Sequence, residues 1–204
     1  EMQEQELLSA YSVNTSGSEF TIAGVVYRLP YILPKEIFYG LASAVKIAGY
    51  FGIQPTNDPS RLHMPPGRSS LFRGFKDTTL LDSSYNADVE SVAAILRTAD
   101  MLGGEKWLVL GDLIEQGKLE QEEHERLARI VAGCDFKRVV LVGPRMRKYV
   151  KPILESNGTI VESFIGPKEA LDYLVPSLSG GETLVFKGAR FLEGIIEHLL
   201  ADKT

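Results

Sequence analysis

From residue 78 onward one pattern repeats: a short apolar run, then a longer amphipathic stretch. The apolar runs are residues 78–83, 107–111 (WLVLG), 138–143 (RVVLVG), 159–164 (TIVESF) and 183–187 (TLVFK). Most lack strict apolar/polar alternation, the pattern of parallel strands covered on both faces. Between them Val89, Val92, Ala93, Leu96 and Ala99 recur at helical spacing, and Gly103-Gly104 ends that helix. Residues 117–133, 146–156, 167–178 and 191–202 continue the series, the last with Leu192, Ile195, Ile196 and Leu199 on one stripe. A repeated βα unit predicts an α/β fold: a doubly wound, mainly parallel, Rossmann-like sheet of at least five strands, joined by right-handed crossovers.

The first sixty or so residues follow another rule. SGSEFTIAGVVYRLPYIL predicts a β-hairpin turning near Gly24. Pro34 stands at a helix start, and Ile37, Leu41, Ala44, Ala48 and Phe51 are spaced as one buried helix face. QPTNDPSRLHMPPGRSS, with its prolines and few apolar anchors, then reads as a linker or hinge. The expected organisation is a small α+β segment over residues 1–64 and an α/β domain over residues 65–204.

A chain of 204 residues with 44% hydrophobic content can bury a sizeable core. Its formal net charge of −5 argues against a nucleic-acid partner, and no apolar run is long enough to cross a bilayer. A single cysteine, Cys134, excludes an intrachain disulfide and a cysteine-built metal cluster. No signal peptide is visible, so the expected location is the cytoplasm. The opening residues read as polar, helix-compatible sequence and not as a natural start.

In an open α/β sheet, ligands bind beyond the carboxyl ends of the strands. Those ends carry DSSYNAD (82–88), Gly111-Asp112-Leu113, Gly143-Pro144-Arg145, Ile165-Gly166-Pro167 and Lys187-Gly188-Ala189-Arg190. The first, second and last would converge if their strands are neighbours. For Asp82, Asn86 and Asp88, helix capping and ligand binding both fit. Lys187 and Arg190 precede a helix and suit a carboxylate or phosphate. Gly111 to Leu119 is not a phosphate loop: five residues separate its glycines, and Leu119 stands where Ser or Thr is required. The three histidines show no metal-ligand spacing. His124, on a Glu-rich helix, reads as a solvated or capping residue and not as a catalytic base.

PPGR (65–68), LLDSSYNADVESVAA (80–94), GDLIEQG (111–117), Glu123-His124, VVLVG (139–143) and VFKGARFLE (185–193) occur in this order, behind SGSEFTI and FYGLASAVKIAGYFGI. Together they resemble the Mur ligase family, most nearly its D-alanyl-D-alanine-adding branch, over nearly the whole chain. The tyrosine-asparagine form of the first loop and the absence of an Asp-Asn-Pro-Arg motif point away from the diaminopimelate- and lysine-adding branches. The resemblance covers the family's C-terminal domain and the end of its central domain. It implies an ATP-dependent amide ligase of peptidoglycan-precursor synthesis, in which a carboxylate of a UDP-muramoyl-peptide becomes an acyl phosphate. An incoming amino acid or D-Ala-D-Ala dipeptide then attacks it. ATP and Mg2+ are the implied cofactors of the intact parent, with the metal's ligands mainly in the domain carrying the phosphate loop. The implied partners of this chain are the remaining domains of that parent.

On the same resemblance, Arg68 is the hinge arginine that reaches the nucleotide phosphates. Ser83, Ser84 and Tyr85 face the nucleotide; Asn86, Asp112, Lys187 and Arg190 face the amine substrate, the cations toward a terminal carboxylate. No residue of this chain is assigned a catalytic role or a metal. Three positions depart from the family pattern. Lys35-Glu36-Ile37 replaces a His-Asn pair, Gly40 replaces an adenine-contacting Asn, and Ser83 replaces a ribose-contacting Asp. A serine still hydrogen-bonds a hydroxyl but without charge assistance. A non-catalytic descendant kept for binding or assembly is the rival reading these departures raise.

Overall fold

The computed structural model describes residues 8–55, 58, 65, 67–188 and 192–201. The chain divides into two compact units, Glu1–Met64 and Pro65–Thr204.

In the first unit, β1 (Leu8–Asn14), β2 (Gly17–Ile22) and β3 (Val25–Leu29) form an antiparallel sheet in that order. Ile22 pairs with Val25, so Ala23 and Gly24 make a two-residue turn, both with positive φ (49° and 80°). This turn matches the twist of the strands it joins, which is why the hairpin is legible in sequence. β1 was not anticipated, because the residues ahead of the hairpin read as polar, helix-compatible sequence; the strand turns Leu8, Tyr11 and Val13 inward. The Tyr11 ring lies 5.1 Å from that of Phe20, and its hydroxyl donates to the Leu33 carbonyl.

Pro34 opens a short 3-10 turn that runs into α1 (Phe38–Tyr50). The helix buries Phe38 and Ala42, with Leu41 and Val45 beside them, against Phe20, Ile22, Tyr27 and Leu29. The face is therefore one residue away from the expected one, and Ile37, Ala44 and Phe51 are exposed. Apolar residues occur on nearly every side of this helix, so spacing alone does not separate the expected stripe from the buried one. The bulk of Phe38 decides between them.

The second unit is an α/β sandwich. Its elements are β4 (Ser70–Arg73), β5 (Thr79–Ser83), α2 (Val89–Asp100), β6 (Lys106–Gly111), α3 (Glu120–Ala132), β7 (Arg138–Val142), α4 (Lys151–Ser156), β8 (Val161–Phe164), α5 (Pro167–Ser177), β9 (Thr183–Lys187) and α6 (Glu193–Leu199). The six strands lie in the order β4-β5-β9-β6-β7-β8; only β4 is antiparallel. The doubly wound parallel sheet follows the βα alternation. The edge strand β4 was not anticipated, because four residues with two apolar ones carry little periodicity.

Every residue of β6 and β9 is buried, as central strands require. Leu80, Val109, Val140, Val142, Leu184 and Phe186 face one layer, where α5 and α6 supply Ala170, Leu174, Ile195, Ile196 and Leu199. Alternate strand residues (Leu81, Leu108, Leu110, Leu141, Val185) are equally buried on the other face. There α2 packs on α3, and α3 on α4. The stretch 146–156 begins as a π turn, Met146–Val150, before α4, rather than running as one α-helix.

Candidate functional site

The topology decides which strand ends meet. β9, last in sequence, lies between β5 and β6, pairing Ser83 with Lys187 and Leu110 with Lys187. The carboxyl ends of β5, β9 and β6 are thus consecutive along the edge of the sheet. The condition the sequence set for convergence, that these strands be neighbours, is met by this insertion.

The DSSYNAD loop divides its labour residue by residue. Asp82 is buried, and its Oδ1 accepts the main-chain N–H of Ser84 at 3.0 Å and the Ser84 hydroxyl at 2.6 Å. Ser84 is fully buried and committed to this turn, so its side chain shapes the loop and does not present itself to a ligand. Ser83 is buried at the end of β5. Asp88 accepts the Ser91 N–H at 2.8 Å while Ser91 Oγ accepts the Asp88 N–H, a reciprocal cap on α2. Tyr85 and Asn86, between the two turns, are exposed. Capping therefore falls to Asp88 and the turn to Asp82, and Tyr85 and Asn86 are left exposed between them.

Arg68 reaches this loop from the segment before β4. Its guanidinium carbon lies 4.1 Å from the centre of the Tyr85 ring, within cation–π range. Tyr85 N–H donates to the Gly67 carbonyl at 3.1 Å. Gly67 has φ of +76°, and a Cβ there would lie 2.9 Å from the Tyr85 nitrogen. Only glycine lets the two segments approach this closely.

Lys187 is 5% exposed, and its ammonium donates to the Asn86 carbonyl at 2.7 Å. Burial pushes its pKa down to about 8; Arg68 acts in the same direction, against Asp88 and Asp82. The last residue of the central strand thus holds a cation beside Asn86, with Arg68 near enough to be felt electrostatically.

Asp112 sits at the same edge but turns toward β7. Its Oδ1 accepts the Met146 N–H at 2.8 Å, and Oδ2 accepts from the main chain and side chain of Arg145, each at 3.3 Å. Arg145 Nε also donates to Glu120 at 2.5 Å and holds that carboxyl below the usual range. Asp112 therefore braces the β7 loop and does not meet Lys187. A Cβ at Gly143, whose φ is +122°, would sit on the Asp112 carboxylate. Arg190 lies outside the described residues.

Of the two expectations for His124, solvated or capping, the first is corrected: it is fully buried. Its ring joins the α3 carbonyl of Glu120 (Nδ1, 2.6 Å) to the Leu113 N–H (Nε2, 3.2 Å). A Glu-rich helix conceals this, since the surrounding acidic residues face outward. Among the described residues no group of three or more His, Cys, Asp or Glu could hold a metal ion. Arg68 and the exposed Tyr85 fit an anionic, ring-bearing ligand such as a nucleotide, whereas magnesium finds no cage here. No described helix is long and apolar enough to cross a membrane.

Comparison with known proteins places this geometry. The Mur ligase, glutamate ligase domain matches residues 67–190, more than half of the chain. The UDP-N-acetylmuramoyl-tripeptide–D-alanyl-D-alanine ligase of Bacillus subtilis (strain 168) is 27% identical over 203 residues, covering 95% of this chain and 44% of that enzyme. The Escherichia coli (strain K12) ligase of the same name is 28% identical over 137 residues, 64% of this chain and 30% of that enzyme. The chain thus spans less than half the length of these relatives. In fold, it matches the MurF ligase of Thermotoga maritima, solved in complex with ADP, with a TM-score of 0.77 at 19% identity over 94% of this chain and 45% of that one. MurF from Acinetobacter baumannii gives 0.79 at 21% identity, over 93% and 44%. With the profile match spanning every strand of the parallel sheet, the chain belongs to the Mur ligase family.

Proposed function

We propose that residues 65–204 form the amine-presenting domain of an ATP-dependent amide ligase acting on a peptidoglycan precursor in the cytoplasm. The observation that carries this reading is the meeting of Lys187, Asn86, Tyr85 and Arg68 at the ends of β5 and β9. A buried ammonium beside an exposed Asn suits the carboxylate of an incoming amino acid or dipeptide. The arginine on an exposed tyrosine suits nucleotide phosphates. The relatives' names supply the substrate class: a UDP-muramoyl-tripeptide and D-Ala-D-Ala.

On this reading the first unit is the tail of the ATP-binding domain, and the remaining domains of the parent supply the phosphate loop and the magnesium. The domain's work is positioning: it holds the amine for attack on an acyl phosphate and excludes water by closing over it. Asp112 and Arg145 keep the neighbouring loop in place, and Asp88 and Asp82 fix the loop that carries Tyr85 and Asn86.

The test is kinetic, in the intact polypeptide that carries this chain. Lys187→Ala is expected to raise KM for the amine substrate by about tenfold or more, with KM for ATP little changed. Equal losses for both substrates count against the assignment. The non-catalytic alternative is favoured by one set of observations: Glu36, Gly40 and Ser83 stand where the family pattern has His-Asn, Asn and Asp. It predicts no ligase turnover in the intact polypeptide, with the fold and its ligand edge retained.

A further inference from the structure

Among the described residues, His124 is the buried histidine, and the ligase reading gives it no work. Its two ring contacts determine its protonation. The Leu113 main-chain N–H can only donate, so Nε2 carries a lone pair; the Glu120 carbonyl can only accept, so Nδ1 carries the proton. We propose that His124 is a positioning residue: as a neutral imidazole it clamps the loop after β6 to α3, and a second proton releases that loop.

The clamp sits where several restraints converge. Leu113 is fully buried, and its neighbour Asp112 holds the main chain of Arg145 and Met146. Two successive residues are thus tied to different elements: Leu113 to α3 through its N–H, Asp112 to the β7 loop through its carboxylate. One residue earlier, Gly111 packs against Gly188, where an added Cβ would lie 2.7 Å from the Gly111 Cα. The His124 contact therefore bears on Gly188, the residue after Lys187, as well.

An imidazolium has no acceptor to offer Leu113. Protonation turns Nε2 into a second donor facing a donor, which leaves a buried N–H unsatisfied unless the loop moves. The charged and titratable groups around the ring come from each element packed near it. Glu120 lies on α3, its carboxylate taken up by Arg145; Asp112 and Arg145 come from the loops after β6 and β7. Lys148 and Tyr149 come from the π turn, the Tyr149 ring centre 5.8 Å from that of His124. The inference stands apart from the ligase reading, since it concerns this chain's own loop and needs no substrate.

The experiment follows the ring nitrogens of His124 by long-range 1H–15N NMR while amide exchange at Leu113 is measured relative to its intrinsic rate, from about pH 8 to about pH 5. Expected are the Nδ1-protonated tautomer and a protected Leu113 amide wherever the ring is neutral, and a loss of about tenfold or more of that protection wherever the ring holds a second proton. His124→Gln places an acceptor where Nε2 stands and should keep Leu113 protected at every pH in this range. His124→Phe should leave it unprotected throughout. An Nε2-protonated tautomer, protonation of the ring with Leu113 exchange unchanged, or protection falling while the ring stays neutral would each overturn the proposal. A ring that stays neutral down to about pH 5 with Leu113 still protected would overturn the release as well, so the wild-type titration decides the matter even if neither variant folds.

Discussion

The ammonium of Lys187 donates to the main-chain carbonyl of Asn86 across the ends of two adjacent parallel strands, although 101 residues separate them in sequence. This bond ties the central strand to the loop that carries Tyr85, and it holds a cation in a nearly solvent-free position.

That burial has a pH signature. The Lys187 pKa falls to about 8 in the folded chain, from 10.5. Between these values the unfolded chain holds a proton that the folded chain has lost, so stability rises with pH through that window and the penalty is fully present below it. The stability difference between wild type and Lys187→Met should shift in favour of wild type by on the order of 3 kcal/mol from about pH 7.5 to about pH 10.5. Urea unfolding at a series of pH values measures it; a difference independent of pH would show that the lysine is not held in this environment.

Gly143→Ala should destabilise the second unit by about 2 kcal/mol or more, because the position combines a left-handed φ of +122° with contact against Asp112. Asp112→Ala in the same chain should relieve the contact but not the backbone strain. The double variant is therefore expected to lose less than the sum of the two single losses in denaturant midpoint.

Asp88→Ala removes one half of a reciprocal cap on α2. A loss of about 1 kcal/mol is expected, with Asp88→Asn retaining most of the stability because its side-chain oxygen still accepts the Ser91 N–H. Thermal unfolding of the two variants separates this role from binding. If Asp88→Asn fell as far as alanine, charge and not capping would be what the position supplies.

The purified chain of 204 residues is expected to release no phosphate from ATP above a heat-treated control. Phosphoryl transfer depends on a phosphate-cradling loop, its lysine and a held magnesium ion. Gly117-Lys118, the Gly-Lys pair of this sequence, instead begins a 3-10 turn leading into α3. Turnover that scales with protein and disappears on Arg68→Ala would reveal a nucleotide site of a different kind.

Much of this was legible from local sequence, and the exceptions share a cause. The Ala23-Gly24 turn, the Asp88 cap and the parallel strands are written in neighbouring residues. The buried stripe of α1, the strand β1 and the edge strand β4 were not, because each depends on a partner distant in sequence that local periodicity does not reveal. His124 is the sharpest instance. Its acidic neighbours on α3 spell a solvated helix, yet one side of that helix packs inward and the ring finds the Leu113 N–H.

The α/β class, the family and the chemistry available at each strand end follow from contiguous residues, since βα periodicity and motif order are local properties. How those ends are used depends on packing between distant segments. Inserting β9 between β5 and β6 puts Lys187 beside Asn86 and leaves Asp112 facing Arg145, away from the lysine. Strand order is set by how the helices cover both faces of the whole sheet, a global packing problem that no single segment encodes.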